Sequence, residues 1–216
     1  MRKLLWAITV FGLTATLGLT SCKKEQNSVT PSNGTTTTQP STASDYEKQE
    51  LAYLREEEKM ARDVYIALYT KWPNLNFFSN ISSSEQKHMD KVLQLLNTYG
   101  LPDPVGTNGV GVFANAEIQT MYNSLVAKGE VSEIEAIKVG LTIEDVDIYD
   151  IQQALTKVEK QDIKTVFGNL MKASKNHMRE FHDQLTSRGG TYTPQYISQQ
   201  EYDQIVNSPK EHGSEM

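Results

Sequence analysis

The chain has 216 residues, a formal net charge of −6, a hydrophobic fraction of 38 % and a charged fraction of 22 %. This composition is typical of one soluble globular domain with flanking segments. It argues against a nucleic-acid partner, because the sequence has no cluster of basic residues that could bind a phosphate backbone. Long helical periodicities fill most of the sequence and alternating strand patterns are scarce, so the expected fold class is all-α.

The first 21 residues are laid out as an export signal, with a basic start, an apolar run and small residues before Cys22. The apolar run from Leu4 to Leu19 is shorter than the roughly 20 residues that a membrane span needs. The letters LTSC resemble a bacterial lipobox, which implies cleavage before Cys22 and lipidation of this single cysteine. The alternative is an ordinary secretory signal with an incidental cysteine.

Residues 22–44 are rich in Ser, Thr, Gln, Asn and Pro and contain almost nothing that a core could bury. We therefore predict a disordered tether between the lipid and the folded domain. Lipidated Cys22 makes the membrane the expected partner and the bacterial cell envelope the expected location. Lys23 directly follows Cys22, so the acidic residue that retains some bacterial lipoproteins in the inner membrane is not seen at this position. The outer membrane is therefore expected rather than the inner one.

Apolar residues recur every three or four positions after residue 44, a pattern that predicts helices. Four long helices are expected, over residues 44–71, from 75 to the TYGLPDP turn, over 132–158 and over 162–186, with short helices over 115–128 and from 199. Ser44 and Glu47 form a capping box at the first helix start, and Gly140 is the expected place for a break in the third long helix. The bundle is expected to occupy residues 45–208, followed by a frayed tail over 209–216.

Four amphipathic helices whose apolar stripes face one another form a four-helix bundle. The long segment between the second and third long helices excludes a simple series of hairpins and predicts one long crossover with short extra helices. Ferritin-like bundles have such a crossover. The expected fold is therefore an all-α, ferritin-like four-helix bundle.

Each of the four apolar stripes is interrupted at mid-helix by residues that a core normally excludes. They are Glu58 on the first long helix, Glu85 and His88 on the second, Glu144 and Asp147 on the third, and His177 on the fourth. Burying one unpaired carboxylate costs of the order of several kcal/mol, and neither Lys nor Arg occupies these stripe positions. Two divalent cations would balance the four carboxylates, so we predict a dinuclear metal site with these six residues as ligands.

The spacing of the polar residues supports the same interpretation. Glu85 and His88, at i and i+3, project from one helix face and can converge on one ion. Carboxylate-bridged dimetal bundles take one Glu from each of two helices and a Glu-x-x-His motif from each of the other two. The fourth helix departs from that pattern, because Ser174 stands in the Glu place of SKNH, and Asp147 is expected to supply the missing carboxylate.

Less demanding interpretations exist for these residues. Glu85 could close a capping box with Ser82 at a late helix start, and a lone buried histidine is usually a satisfied core residue. Glu56 and Glu57, which precede the stripe residue Glu58, are expected on a solvated face.

Two further residues are expected to orient ligands through hydrogen bonds rather than to bind metal. Tyr65 follows Glu58 by seven residues, a spacing that ferritin-like helices also show, and Asn176 is the neighbour of His177. A plain surface position is the alternative for Asn176. The sequence assigns no residue to a catalytic step.

Several segments together resemble the ferritin-like family known as domain of unknown function 2202. They are LREEEKMARDVY, SEQKHM, GLTIEDVDIYDI, ASKNHMREF and YTPQYIS. The resemblance extends from about Asp45 to Ser208. It implies a ferritin-like bundle and a metal site, and it gives no substrate.

Two classes of function are compatible with these features. The first is a lipid-anchored protein with a dinuclear centre that reacts with O2 or H2O2 as an oxidase, peroxidase or ferroxidase; iron is the expected metal, with manganese and zinc as alternatives. The second is a non-catalytic envelope module whose bundle binds a structural metal or none. Oxidation of an organic substrate would require a channel that the sequence cannot reveal, and cage storage is disfavoured for a tethered chain.

Overall fold

The computed structural model describes residues 42–212, and this part of the chain contains six α-helices and no strand. The helices are α1 (Asp45–Lys71), α2 (Phe77–Thr98), α3 (Ala116–Gly129), α4 (Glu133–Leu155), α5 (Gln161–Thr186) and α6 (Gln199–Val206). The all-α prediction is confirmed. The predicted signal peptide, the tether up to residue 41 with its lipidation site Cys22, and residues 213–216 lie outside the described residues.

None of the helices within residues 42–212 is long and apolar enough to cross a membrane.

The predicted capping box at the start of α1 is confirmed. The Glu47 backbone N–H donates to Ser44 Oγ at 3.2 Å, and the Ser44 backbone N–H donates to Glu47 Oε2 at 2.8 Å. The other carboxylate oxygen of Glu47 accepts the backbone N–H groups of Glu159 and Lys160 at 2.8 and 2.9 Å. Lys160 is the N-cap of α5, and its side chain makes no capping hydrogen bond. The Glu47 carboxylate therefore accepts backbone N–H groups at the starts of both α1 and α5.

The four long helices pack as two pairs. α1 packs on α2 and α4 packs on α5, while α3 bridges α1 and α4, and α6 lies on α5. Two apolar clusters fill the interior. One contains Val64 of α1 and Phe78 of α2; the other contains Leu51 of α1 and Leu95 of α2. Because α1 and α2 visit the two clusters in opposite order, these helices run antiparallel.

The same ordering fixes the directions of the second pair. α4 passes from the first cluster, at Ile143, to the second, at Ile151, whereas α5 passes from the second, at Phe167, to the first, at Phe181. α4 is therefore antiparallel to α5 and parallel to α2. The chain between α2 and α4, which includes α3, therefore returns from the second cluster to the first.

The break expected at Gly140 is wrong, because α4 continues from Glu133 to Leu155. The glycine has a packing role instead. A Cβ at position 140 would lie 2.4 Å from an edge carbon of the Phe181 ring. The absence of a side chain thus lets α4 approach α5 closely where Phe181 packs.

The segment between α5 and α6 is tied to α4 by one buried carboxylate. Asp145 accepts backbone N–H groups from Gln195 at 2.6 Å and from Ile197 at 2.9 Å, and the Tyr192 hydroxyl donates to it at 2.9 Å. This anchor positions α6, whose N-cap is Ser198 and which begins at residue 199 as predicted.

Candidate metal centre

The structure brings the six predicted ligand residues to one interior place between the two apolar clusters. The five on α1, α2 and α4 are each 6 % exposed or less, and the His177 side chain on α5 is 12 % exposed. These residues are Glu58, Glu85, His88, Glu144, Asp147 and His177. Charged groups this deeply buried need compensating partners.

Glu85 lies between the two histidines. Its Oε2 is 2.6 Å from Nδ1 of His88, and its Oε1 is 2.9 Å from Nδ1 of His177. The two imidazole rings stack, with centroids 5.7 Å apart and planes inclined by 24°. One carboxylate thus presents one oxygen to each imidazole, an arrangement that suits a carboxylate bridging two ions.

Two sets of side chains offer atoms close enough to bind an ion. Within each set, the candidate ligand atoms lie within 4.8 Å of one another. The first set is Glu58, Glu85 and His88; the second is Glu85, Glu144 and His177. Glu85 belongs to both.

The capping alternative for Glu85 is wrong. α2 begins at Phe77, eight residues before Glu85, so Glu85 is not in its first turn. The Ser82 hydroxyl donates to the backbone carbonyl of Ser79 at 3.0 Å, within the helix. Glu85 therefore projects from the middle of α2.

Two of the predicted ligand residues each have one buried carboxylate oxygen with no hydrogen-bond partner among the described residues. These oxygens are Glu58 Oε1 and Asp147 Oδ1. Both residues line a cavity of about 10 Å³, together with Glu85 and Glu144. A cavity of this volume holds about one water-sized sphere. Unsatisfied buried acceptors around such a space fit the ligand set of a bound cation.

Ser174 explains how the sequence departs from a second Glu-x-x-His motif. Its hydroxyl contacts both Asp147 Oδ2 and the backbone carbonyl of Leu170, the latter at 2.9 Å. Ser174 on α5 therefore holds a carboxylate from α4 near the place where a glutamate of α5 would lie. The hydrogen bond leaves Asp147 Oδ1 free of the serine.

Tyr65 is fully buried and contacts a predicted ligand. Its hydroxyl donates to Glu144 Oε1 at 2.5 Å, and its ring lies 5.7 Å from that of Phe78 and 5.4 Å from that of Phe181, between centroids. The same oxygen of Glu144 is 3.6 Å from His177 Nδ1. Tyr65 is thus placed to fix the orientation of Glu144.

Asn176 makes its hydrogen bonds with the C-terminal segment. Its Nδ2 donates to the backbone carbonyl of Glu211 at 3.0 Å, and its Oδ1 accepts from the Glu211 backbone N–H at 2.9 Å and from Arg179 at 2.7 Å. These bonds attach residue 211, within the predicted tail, to α5. An orienting role of Asn176 toward His177 stays a prediction.

Burial is the main reason why three of the carboxylic acids have raised pKa values. It raises the pKa of Glu58 to about 7, although His88 opposes the shift. It also raises the pKa of Glu144, against the opposing effect of His177. The pKa of Asp147 is raised well above its usual value by burial and by the neighbouring Glu58 and Glu144.

For Glu85, His88 and His177, the charges of neighbouring groups outweigh burial and favour the ionised form. Burial disfavours ionisation of Glu85, but His88 and His177 outweigh it and lower the pKa of this carboxyl. Burial likewise opposes the charge on His177, yet Glu85 and Glu144 raise its pKa to about 10. The pKa of His88 is also raised, by Glu85 and Glu58 against burial. Without a cation, the centre therefore retains protons that a metal would displace.

The sequence matches the family described as "Uncharacterized protein domain (DUF2202)" over residues 47–209. The chain belongs to this family. Uncharacterized protein MJ0754 of Methanocaldococcus jannaschii is 52 % identical over 170 residues, which cover 79 % of this chain and 91 % of that protein. The crystal structure of hypothetical protein MJ0754 from Methanococcus jannaschii DSM 2661 matches with a TM-score of 0.76 at 48 % identity, over 85 % of this chain and 100 % of that chain. The resemblance to DUF2202 is confirmed, and the names of these relatives state no reaction.

The solvated face expected for Glu56 and Glu57 in this DUF2202 chain is wrong. Both residues are 4 % exposed. Glu56 accepts the backbone N–H groups of Ala114, at 2.6 Å, and of Asn115. The loop before α3 therefore folds over α1 and covers this face.

The same loop is held by a buried ion pair that the sequence did not predict. Lys59 and Asp63 are both fully buried and pair with each other. Lys59 donates to the backbone carbonyl of Gly109 at 2.7 Å, and Asp63 accepts the backbone N–H of Gly111 at 2.9 Å. The signal that could have identified this contact is the run GTNGVGVF, whose exposed backbone groups need partners once the loop is buried.

Proposed function

We propose that this DUF2202 chain is a ferritin-like protein that binds two divalent metal ions in the interior of its helical bundle. The observation that carries the proposal is Glu85, one carboxylate with an oxygen toward each of two imidazoles, those of His88 and His177. The unpartnered oxygens of Glu58 and Asp147 beside it add two acceptors that a cation would satisfy. Four carboxylates and two divalent ions are also balanced in charge.

The directions of the helices support the ferritin-like part of the proposal. α1 is antiparallel to α2, α4 is antiparallel to α5, and α2 is parallel to α4. A bundle of two antiparallel pairs joined by one long crossover is the arrangement of ferritin-like folds. Here the crossover contains α3.

The chemistry of the donor set favours iron, with manganese and zinc as alternatives. Glu58, Glu85 and His88 would hold one ion, Glu85, Glu144 and His177 the other, and Asp147 would complete the set. Bound iron would supply Lewis acidity and one-electron steps. The protein's own contribution is positional: Tyr65 holds Glu144 Oε1, and Ser174 holds Asp147 Oδ2.

The depth of the centre favours a small oxidant. Five of its six proposed ligand residues are 6 % exposed or less. O2 or H2O2 therefore suits this centre better than an organic substrate, and we propose an oxidase, peroxidase or ferroxidase type of activity. With lipid on Cys22, the reaction would take place in the bacterial cell envelope.

Anaerobic loading with ferrous iron followed by air tests the proposal. We expect two ions per chain, and a near-ultraviolet charge-transfer band that grows when air or H2O2 is admitted. Protein that binds iron yet stays colourless and unreactive would favour the alternative of a non-catalytic envelope module. Protein that binds no ion would contradict the proposal as a whole.

A further inference from the structure

A second cavity lies beside the proposed centre and shares one residue with it. This second cavity has a volume of about 10 Å³ and its polar lining consists of Glu50, Tyr53, Glu57 and Asp150. Glu57 also lines the central cavity, which Glu58 and Asp147 border. Glu57 therefore stands between the two spaces.

The second cavity reaches the surface. Tyr53 and Asp150 are half-buried, whereas Glu50 is 8 % and Glu57 4 % exposed. The lining thus passes from partly solvated groups to buried ones. The residues with unpartnered buried oxygens, Glu58 and Asp147, line the central cavity that Glu57 also borders.

Helix geometry explains the alignment of these carboxylates. Glu50 and Glu57 are seven residues apart and so lie on one face of α1, about 10 Å apart along its axis. Asp147 and Asp150, at i and i+3, share one face of α4. Acidic side chains from α1 and α4 therefore follow the same seam from the surface to the centre.

The lining of both cavities includes seven carboxylates and, among the described residues, no Lys or Arg. A divalent cation that leaves bulk water loses hydration, and successive carboxylates replace part of it along the way. Clefts lined by one sign of charge also raise the local concentration of counter-ions and their association rates. An acidic seam that ends at unsatisfied acceptors is suited to deliver a cation.

We infer that Glu57, with Glu50 and Asp150, forms the route by which divalent cations reach the metal centre from solvent. This inference rests on the proposed function. Glu57 acts here as a positioning residue for an ion in transit, because it belongs to neither of the two sets whose atoms lie within 4.8 Å of one another.

The rate of cobalt loading tests this inference independently of any activity. Co²⁺ is mixed with the metal-free protein in a stopped-flow instrument, and its visible ligand-field absorption reports occupancy. For Glu57→Gln we expect association to slow by about tenfold, the lower end of the effect of a charge-lined cleft on association. Dissociation into a chelator should slow by a similar factor, so that the affinity and the two ions per chain are retained.

Glu56→Gln is the matched control. It removes the same charge from the adjacent buried position of α1, but Glu56 faces the backbone N–H groups of Ala114 and Asn115 rather than either cavity. This variant should load at the wild-type rate. Thermal unfolding of both metal-free variants, compared with wild type, verifies that each one folds.

The outcomes separate the route from the proposed centre. Wild-type protein that binds fewer than two ions contradicts the proposed function. If wild type binds two and Glu57→Gln loads equally fast, the route alone is contradicted. If Glu57→Gln binds fewer ions than wild type, Glu57 is a ligand and the route is again overturned.

Discussion

Ser174 on α5 donates a hydrogen bond to Asp147 on α4 and so fixes a buried carboxylate that the neighbouring helix supplies. One oxygen of Asp147 is engaged by the serine, and the other has no partner among residues 42–212. Ser174 thus stands where the Glu-x-x-His motif has its glutamate, and it orients Asp147, which is a proposed ligand. This relationship connects an irregularity of the sequence to the geometry of the centre.

Removing the serine hydroxyl should weaken metal binding without unfolding the protein. Groups that hold a ligand by a hydrogen bond typically contribute 10- to 100-fold to affinity, so we expect Ser174→Ala to lower the affinity for one of the two ions by about this factor. Titration calorimetry with Mn²⁺ measures both ions. Ser83→Ala, which removes a hydroxyl bonded only within α2, is the control and should bind as wild type does. Equal affinities in Ser174→Ala and wild type would show that the hydrogen bond from Ser174 to Asp147 does not contribute to metal binding.

Metal binding should release protons and weaken in acid. The pKa of Glu58 is raised to about 7 and that of His177 to about 10, so at pH 7 the metal-free centre carries protons that the ions must displace. The apparent affinity should therefore fall as the pH is lowered from 8 to 6. Calorimetry in buffers of different ionisation enthalpy should report more than one proton released per chain. An affinity that does not change over this range would contradict the assignment of these residues as ligands.

Gly140→Ala should destabilise the protein although alanine is the better helix former. Alanine gains about 1 kcal/mol of helix propensity, but its Cβ would meet the Phe181 ring at 2.4 Å. That ring is enclosed by Tyr65, Phe77 and Phe78 and cannot move away. Overpacking of this kind costs about 1–3 kcal/mol.

Gly168→Ala on α5 is the matched control for Gly140→Ala. No atom lies within 4 Å of a Cβ at position 168, so this variant should gain about 0.5–1 kcal/mol. Urea unfolding of the two variants measures both changes. A Gly140→Ala protein as stable as Gly168→Ala would contradict the close approach of α4 and α5.

Glu47 should stabilise the fold at neutral pH and lose this effect in acid. Burial raises its pKa, but the backbone N–H groups of Lys160, Ser44 and Glu159 outweigh burial and lower the pKa to about 2 from an ordinary 4.5. Because the pKa is lower in the folded protein, the stabilisation is complete above pH 4.5 and is lost as the pH falls toward 2. We expect Glu47→Gln to cost about 1–3 kcal/mol at pH 7.

Unfolding in urea between pH 3 and pH 7 measures this dependence. The difference between wild type and Glu47→Gln should shrink as the solution becomes acidic. Glu117→Gln, at an exposed position in the first turn of α3, should cost much less at every pH. A constant difference for Glu47→Gln would mean that its carboxylate is not the stabilising group.

The sequence predicted most of the fold because helix faces are local patterns. Apolar spacing placed the long helices within a few residues of their observed ends, and it selected Glu58 from three consecutive glutamates as the residue that faces the centre. The capping box at Ser44 was also predictable, since it needs only neighbours in sequence. That the six gathered side chains bind metal stays a prediction.

The features that the sequence did not predict all depend on contacts between distant segments. Gly140 was interpreted as a break because the periodicity of one helix cannot reveal Phe181 on another. Glu56 was expected in solvent because nothing local indicates that the loop before α3 folds over it. The run REEEK, residues 55–59, places charged residues on every face of the helix. Their positions around the helix therefore could not show that Lys59 and its neighbours are buried rather than solvated.

The stoichiometry of metal binding in wild type and Glu85→Gln tests the central claim most directly. Metal-free protein loaded with iron, manganese or zinc and then freed of excess ions is analysed for metal per chain. We predict two ions in wild type and at most one in Glu85→Gln, because Glu85 belongs to both ligand sets, while Glu117→Gln retains two. Wild-type protein without bound metal, or Glu85→Gln protein that still holds two ions, would contradict the account.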